Sequence, residues 1–316
     1  MHDWFARPGE FLAPSRDVPP SHCVVLTRLA LALLRLVARL PLRWYHALGG
    51  WLGWIVYWSS KRYARGLRDN LRRSGVWRDE ADYQRILRGA IVETGRQGME
   101  ILPLWFRPQA LVTPLVRACI GEQAVLDAYA QGRGVVLLTP HLGCFEISAI
   151  YAAERFPITV LYREPRIRWL DTLIVAGRGR GQEKLAPANL KGVRLLFKAL
   201  RNKEAIGVLP DQVPSAGEGE WVEFFGRPAY TMTLIGRLCE ALDPAVFVAA
   251  ARRLPQGRGY EIEVEPVAGG VHGEGGIARM NLAIERLVRK HPEQYLWSYN
   301  RYKQPAGAPP PPLAAR

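Results

Sequence analysis

The spacing of apolar and polar positions predicts short strands that alternate with helices over most of the chain. Strand-like apolar runs occur at 134–139, 158–162, 205–210, 245–251 and 260–267. Between the first four runs, helical patterns occur at 143–155, 166–180, 190–201 and 230–241. This alternation predicts an α/β fold with a mostly parallel central sheet flanked by helices. Because the strand runs are continuously apolar, we expect both faces of the sheet to be covered.

The amino-terminal part has a different pattern, which predicts helices associated with a membrane. Residues 23–40 are largely apolar, and Arg28, Arg35 and Arg39 fall on one helical face opposite a Leu, Val and Ala stripe. Residues 42–58 are rich in Trp and Tyr, which are enriched at the headgroup level of bilayers. Both segments are short for an uncharged transmembrane helix. A span, a shallow insertion and a helical hairpin buried within the protein are therefore three alternatives.

The segment 61–73, "KRYARGLRDNLRR", carries six basic residues and one acidic residue. Beside an apolar anchor this pattern is typical of a cytoplasmic segment that faces anionic lipids, and a solvated helix face is the alternative. The patterns divide the chain into a flexible leader (1–22), membrane-anchoring helices (23–60), a main domain (61–303) and a proline-rich, disordered tail (304–316).

Composition limits the classes of partner and compartment. The 43 Lys and Arg residues exceed the 29 Asp and Glu residues, a formal net charge of +14, which favours nucleic acid, an anionic membrane or an acidic carrier protein. The four cysteines are far apart, without zinc-site spacing, which indicates a reducing compartment and no structural metal. The "GRGRG" at 177–181 departs from GxGxxG, and no nucleic-acid recognition signature accompanies it.

The stretch "TPHLGCFE" directly follows the first apolar run and contains a candidate proton-transfer pair, His141 and Glu146. A proline and a glycine allow a tight turn here, in which Glu146 could accept the Nδ1 proton of His141 and leave Nε2 free to take a substrate proton. A structural histidine is the alternative. Cys144 offers either a thiolate nucleophile or a small buried side chain.

Two further apolar runs also end in polar side chains. Arg163, Arg166 and Arg168 follow the run 158–162, and Asp211 and Gln212 follow the run 205–210. The arginine fork suits phosphate or carboxylate. Ligands of such sheets bind outside the carboxyl ends of the strands, so three such ends favour one site at this edge.

Four blocks resemble the lysophospholipid acyltransferase superfamily and, within it, the lipid A biosynthesis acyltransferases, the lauroyl and myristoyl transferases. They are "PHLGCFE" for the family's HxxxxE, "LYREP" for its arginine block, "LPDQ…FFGRPAYT" for its third block, and "HPEQYLWSYNRYK" near the end. The blocks stand in the family's order. Many members have Asn where this chain has Cys144, which argues against an essential thiol.

The resemblance implies a glycerol-phosphate-acyltransferase-like fold with residues 61–303 as the acyltransferase domain. The implied reaction moves a fatty acyl chain from acyl carrier protein to the hydroxyl of a 3-hydroxyacyl chain on a Kdo-bearing lipid A precursor, without metal or cofactor. In it His141 is the general base, and Glu146 orients it and stabilises its charge. The implied substrate-binding residues are Arg163 near the oxyanion or a phosphate, Arg166 as a further phosphate contact, Asp211 positioning the acceptor or Arg163, and Gln212 beside it.

The partners that the resemblance implies are acyl carrier protein, a phosphorylated glycolipid acceptor and anionic membrane lipids, with no nucleic acid. The implied location is the cytoplasmic face of the inner membrane, in single-pass or monotopic form. One alternative is an acyltransferase for another membrane lipid, such as a lysophospholipid, an ornithine lipid or a phosphatidylinositol glycolipid. Another is a non-catalytic basic membrane-binding protein, which leaves the polar strand ends unexplained.

Overall fold

A computed structural model describes residues 33–163 and 181–312. The helices are α1 (Leu42–Ser59), α2 (Lys61–Ser74), α3 (Glu80–Phe106), α4 (Gln109–Val112), α5 (Glu122–Ala130), α6 (Phe145–Ala152), α7 (Leu190–Arg201), α8 (Leu234–Leu242) and α9 (Gly276–Lys290). The strands are β1 (Val116–Ile120), β2 (Val135–Leu138), β3 (Ile158–Tyr162), β4 (Glu183–Pro187), β5 (Ala205–Val208), β6 (Gly219–Phe224), β7 (Arg227–Met232), β8 (Ala245–Arg253) and β9 (Tyr260–Pro266). The leader, the predicted helix 166–180 and Arg166 lie outside the described residues.

A seven-stranded sheet forms the centre of the domain, in the order β1-β9-β8-β2-β5-β3-β4. Its central pairs β8–β2, β2–β5, β5–β3 and β3–β4 are all parallel. Strand β9 is antiparallel to β8 and parallel to β1. The predicted α/β fold with a mostly parallel, helix-flanked sheet is confirmed. The carboxyl ends of β2, β5 and β3 therefore meet at one edge.

Alternate residues of the central strands enter two separate cores. Val136 and Leu138 of β2 belong to the core on one face of the sheet, whereas Val135 and Leu137 belong to the core on the other face. A strand that is buried on both faces has no polar position in its pattern. This double burial explains the continuously apolar run.

Some elements differ from the sequence prediction. The pattern missed β1, β4 and the separate β6–β7 hairpin, and the predicted helix 230–241 begins only at Leu234 because residues 227–232 form β7. Strands β1 and β4 lie at the two edges of the sheet and include exposed positions, so they lack a continuous apolar run. Strands β6 and β7 are stabilised by pairing with each other, and local periodicity does not reveal such pairing.

Helices α1 and α3 pack backbone against backbone through glycines. A Cβ atom at Gly53 would collide with the carbonyl oxygen of Ile91, and one at Gly95 with the carbonyl oxygen of Gly49. One side of α1 is therefore buried against α3, and its opposite side is exposed. The exposed apolar side chains on α1 are Trp44, Leu48, Trp51, Ile55, Val56 and Trp58. Over the described ranges, every helix is too short or too polar to cross a bilayer.

Part of the proline-rich tail is packed against the β6–β7 hairpin. Ala308 is buried in a small cluster with Val213 and Tyr230, and Nε1 of Trp221 donates a hydrogen bond to the carbonyl oxygen of Pro309 at 2.9 Å. The sequence predicted disorder from residue 304 onward. The apolar packing of Ala308 and the hydrogen bond to the carbonyl oxygen of Pro309 connect these two residues to the domain.

Candidate active site

The carboxyl ends of β2 and β5 bring His141 and Asp211 into contact. The Nδ1 atom of His141 lies 2.8 Å from Oδ1 of Asp211, and the backbone N–H of His141 donates to Oδ2 at 2.8 Å. The Asp211 side chain is 2% exposed and the His141 side chain 13% exposed. An ionised carboxylate only accepts hydrogen bonds, so Nδ1 carries the proton and Nε2 presents a lone pair. His141 thus has the tautomer of a general base.

The surroundings of Asp211 keep its carboxyl ionised. Burial alone would raise the pKa of Asp211, but the electrostatic interaction with the His141 imidazole, the two hydrogen bonds from that residue and the charge of Arg301 lower it below its ordinary value. Arg301 is itself buried and donates to the carbonyl oxygen of Tyr230 at 2.7 Å and to Oγ1 of Thr231 at 2.6 Å. The β7 strand thus fixes the cation that lies near Asp211.

Gln212 covers the other nitrogen of the imidazole. Its side-chain nitrogen lies 3.0 Å from Nε2 of His141 and donates to the lone pair there. The backbone on both sides of Gln212 is anchored, because Asp211 binds His141 and the backbone N–H of Val213 donates to the Tyr299 hydroxyl at 2.9 Å. The Gln212 amide therefore lies between Nε2 of His141 and any group that would contact this nitrogen.

Glu146 does not take the position at Nδ1 that the sequence analysis gave it. That acceptor is Asp211, and Oε2 of Glu146 accepts a hydrogen bond from Nε1 of Trp105 at 3.2 Å. The physical reason is the turn between β2 and α6, where the backbone N–H of His141 also donates to Asp211 and fixes the ring toward β5. Glu146 is buried in the first turn of α6. Its role is therefore separate from the tautomer of His141.

Of the two arginines predicted to bind substrate, only Arg163 lies within the described residues. Arg163 directly follows β3, is exposed and lies at the same sheet edge as His141 and Asp211. Arg166 lies outside the described residues. Of the predicted site residues, the structure therefore joins His141, Asp211 and Gln212 directly.

Cys144 is 1% exposed. Burial, followed by the charge of Glu100, raises its pKa well above the ordinary value. The thiolate is the nucleophilic form of cysteine, so this environment favours packing over a covalent acyl intermediate.

An apolar pocket lies beside the site, between the sheet and helices α5 and α6. It holds about 780 Å³ of empty space, part of which is open to solvent. Thr139, Phe145 and Glu146 line the part near His141. Tyr151 of α6 and Arg155, which follows this helix, line a part of the pocket farther from His141. The Arg155 guanidinium lies 3.4 Å from the centre of the Tyr151 ring and forms an ion pair with Glu122. The mostly apolar side chains that line this pocket are suited to binding an extended apolar chain.

The carboxyl-terminal block contacts the turn that carries His141. The backbone N–H of Leu296 donates to the carbonyl oxygen of His141 at 3.0 Å, and that of Gly143 donates to the carbonyl oxygen of Gln294 at 3.0 Å. Burial and then the charge of Asp211 raise the pKa of Tyr295 well above its ordinary value. Sequence analysis used this block as a family marker and did not assign these residues to the site.

Arg253 is a further site residue that the sequence analysis missed. It ends β8 at the same sheet edge as His141, and one of its terminal nitrogens donates to the carbonyl oxygen of Gly143 at 2.8 Å. A signal was present, because Arg252 and Arg253 follow the apolar run 245–251 as other polar residues follow the other runs.

The fold and the site define an α/β protein with a His–Asp pair, whose second imidazole nitrogen is covered by Gln212, beside an apolar pocket. The chain belongs to the bacterial lipid A biosynthesis acyltransferase family, whose family model matches residues 20–304. The resemblance found in the four sequence blocks is thereby confirmed.

Individual relatives match over most or over part of the chain. The lipid A biosynthesis lauroyltransferase of Escherichia coli (strain K12) is 27% identical over 292 residues, which is 90% of this chain and 94% of the relative. The lipid A biosynthesis palmitoleoyltransferase of the same strain is 27% identical over 296 residues, which is 89% of this chain and 92% of the relative. A lipid A biosynthesis acyltransferase of Haemophilus influenzae is 28% identical over 183 residues, 56% of each chain.

Proposed function

We propose that this protein transfers a fatty acyl chain from acyl carrier protein to the hydroxyl of a 3-hydroxyacyl chain on a Kdo-bearing lipid A precursor. The observation that carries the proposal is the His141–Asp211 pair beside the apolar pocket. The pair offers a base for the acceptor hydroxyl, and the pocket offers an apolar environment for the acyl chain. The names of the relatives, a lauroyltransferase and a palmitoleoyltransferase, support fatty acyl chains and lipid A.

The reaction begins when the acceptor hydroxyl displaces the Gln212 side chain from Nε2 of His141. His141 takes the hydroxyl proton while the oxygen attacks the thioester carbonyl carbon, and Asp211 stabilises the imidazolium that forms. The carbon–sulfur bond then breaks, and His141 returns the proton to the leaving thiolate. The products are an ester and a free thiol, and no metal or bound cofactor takes part in these steps.

Charged residues near the base have supporting roles in this proposal. Glu146, a buried carboxylate at the pocket wall, stabilises the positive charge that His141 acquires during transfer. Arg163, at the end of β3, binds near the developing oxyanion or a phosphate of the acceptor, and Arg166 is a further phosphate contact. In this proposal Asp211 holds His141, a role that the sequence analysis did not give it.

We further propose that the protein lies on the cytoplasmic face of the inner membrane in monotopic form. The outward side of α1 supplies apolar and tryptophan side chains, and α2 follows it with exposed basic residues. The exposed basic residues of α2 are Lys61, Arg62, Arg65, Arg68, Arg72 and Arg73. The same positive charge suits anionic lipids, a phosphorylated glycolipid and acidic acyl carrier protein.

A transfer assay tests the proposal. Purified protein is given acyl carrier protein loaded with labelled C12 or C14 chains together with a tetra-acylated, Kdo-bearing lipid A precursor. We expect label in the precursor, and a loss of at least about 100-fold with His141→Ala. Parallel reactions with lysophospholipid, ornithine lipid and phosphatidylinositol glycolipid test the other acceptors. If the wild-type protein labels no lipid, it is not an acyltransferase of this kind.

A further inference from the structure

The guanidinium of Arg253 is buried between the carboxylates of Glu93 and Glu100, two residues of α3. Its side chain is 2% exposed. Its Nε atom lies 2.9 Å from one oxygen of Glu100 and a terminal nitrogen 2.5 Å from the other, so the two side chains pair through two parallel bonds. Its second terminal nitrogen lies 3.2 Å from Oε2 of Glu93. This arrangement fixes the plane of the guanidinium.

The same guanidinium also binds the turn that carries His141. The terminal nitrogen that contacts Glu100 donates to the carbonyl oxygen of Gly143 at 2.8 Å. The backbone N–H of Gly143 donates to the carbonyl oxygen of Gln294 at 3.0 Å. Both polar groups of Gly143 are therefore used, one by Arg253 and the other by Gln294.

Gln294 closes this set of bonds into a ring. Its Oε1 atom accepts from the backbone N–H of Arg253 at 2.8 Å, and its Nε2 atom donates to the carbonyl oxygen of Arg253 at 3.2 Å. Arg253 thus holds Gly143 directly through its side chain and indirectly through Gln294. We call these three residues the Arg253 ring.

The turn needs such support because its central residue has no side chain that can hold it. Gly143 has a left-handed φ of +61°, and a Cβ atom there would collide with the carbonyl oxygen of Ala251. The residue stands two positions after His141 and two before Phe145, the first residue of α6. A shift of its peptide would move the histidine and the pocket wall together.

We propose that Arg253 is a positioning residue for acyl transfer, which sets the place of His141 through the Arg253 ring. The inference rests on the proposed function, since it assigns a role within that reaction. A lysine at this position keeps the charge but has no planar fork, so it cannot hold Glu100 and the Gly143 carbonyl in one fixed geometry.

The first test compares Arg253→Lys with Arg107→Lys in the transfer assay. Arg107 is also buried and also donates to backbone carbonyl oxygens, those of Ala38 and Leu40, which precede α1 rather than belong to the turn that carries His141. We expect Arg253→Lys to lower kcat about 10- to 100-fold, the range for a small displacement of a catalytic group. KM for the thioester and for the acceptor should change less than about threefold, because substrate binding groups are unchanged. Arg107→Lys should lower Tm and keep kcat.

The second test is a double-mutant cycle with Gln294→Leu, which removes both side-chain bonds of Gln294 at similar volume. If the three residues act as one unit, Gln294→Leu should lower kcat by a factor similar to that of Arg253→Lys. The fold-decrease in kcat of the double variant should then be smaller than the product of the two single fold-decreases. Gln294→Leu alone decides the question if Arg253→Lys does not fold.

The outcomes separate this inference from the proposed function. Folded variants with kcat within twofold of the wild-type value would overturn the positioning role, even if their Tm is lower. Failure of the wild-type protein to transfer label would instead remove the proposed function itself.

Discussion

The Nδ1 atom of His141 lies 2.8 Å from Oδ1 of Asp211, a residue 70 positions later in the chain. The second carboxylate oxygen accepts the backbone N–H of the same histidine at 2.8 Å. One carboxylate therefore fixes both the ring and the main chain of His141. The fold itself therefore sets the orientation and the tautomer of His141.

Asp211→Asn is expected to lower kcat by at least about 100-fold, with little change in KM for the thioester. An asparagine amide can donate to Nδ1, which favours the tautomer with the proton on Nε2 and removes the lone pair that accepts the substrate proton. Steady-state transfer kinetics check this. Addition of Asp211→Asn to His141→Ala should cause almost no further loss, because the two residues act as a unit. Independent, multiplying losses would contradict the pairing.

Gln212→Ala is expected to increase the share of thioester lost to water severalfold relative to the share transferred to lipid. The reason is that Gln212 now covers Nε2 of His141, and its removal lets water reach the base. Free fatty acid and acylated lipid are measured in one reaction. Gln123→Ala, at an exposed glutamine that bonds Asp127, is the matched control and should match the wild-type ratio. An unchanged ratio in Gln212→Ala would mean that the amide does not shield the base.

Ala149→Phe is expected to shift the preferred acyl chain to a shorter one, because Ala149 lines the apolar pocket and a phenyl ring there fills part of it. Each methylene of the acyl chain that can no longer be buried in the pocket loses about 0.8 kcal/mol of binding free energy, which lowers kcat/KM for that chain roughly fourfold. The measurement is kcat/KM for a series of acyl thioesters of different length. Ala124→Phe, at an exposed position of α5, is the control and should keep the wild-type profile. An equal loss at every chain length would argue that the pocket does not hold the chain.

Leu48→Glu is expected to weaken binding to anionic phospholipid vesicles about tenfold or more, since a carboxylate would enter the apolar side of α1 and repel the lipid. Leu48 is 46% exposed. Vesicle co-sedimentation checks the effect. Leu282→Glu introduces the same change at a leucine of α9 that is 54% exposed, away from the α1 surface, and should bind normally. Equal weakening by both variants would point to general charge repulsion rather than a defined membrane face.

Acid should destabilise the protein through Glu100. Burial would raise the pKa of Glu100, but the charge of Arg253 and the contacts with Arg253 and His46 lower it from the ordinary 4.5 to about 2. A depressed pKa in the folded state stabilises the fold above pH 4.5, and this stabilisation is lost as the pH falls toward 2. Two further titratable groups interact with Glu100, the thiol of Cys144 and the hydroxyl of Tyr260, which lies 3.0 Å from Glu100.

Glu100→Gln should therefore lower Tm at pH 7, because it leaves Arg253 with less compensating charge. It should also flatten the fall in Tm between pH 5 and pH 3 relative to the wild-type protein. Thermal unfolding followed by circular dichroism over this pH range checks both effects. Parallel curves for the two proteins would contradict a titrating role for Glu100.

The sequence pattern predicted the strands of the sheet centre but not its edges. A central strand such as β2 is buried on both faces, so its apolar run is visible in the sequence. Strands β1 and β4 are paired on one side only, and the β6–β7 hairpin is held by its own pairing, so their patterns are weak. Shallow membrane insertion of the helices that include α1 was one of three alternatives left open by the sequence, and the packing of α1 against α3 became evident only from the glycine contacts.

In the candidate site, too, the local sequence pattern identified residues, whereas contacts between residues distant in sequence could not be predicted. Polar residues after apolar runs identified His141, Asp211 and Gln212, because parallel strands end at one edge. Their spacing suggested Glu146 as the partner of Nδ1, since the two residues are near in sequence. Asp211 holds that place because β5 lies next to β2 in the sheet.

The sequence by itself determined the α/β class, the sheet edge that carries the candidate site and the acyltransferase family, since these depend on local periodicity and short motifs. Tertiary structure alone decided that Asp211 orients His141, that Gln212 covers Nε2 and that Arg253 and Gln294 hold the Gly143 turn. Each of these contacts joins residues that are neighbours only after the strands have assembled. Hydrogen bonds require atoms about 3 Å apart, and the order of strands in a sheet cannot be read from spacing along the chain.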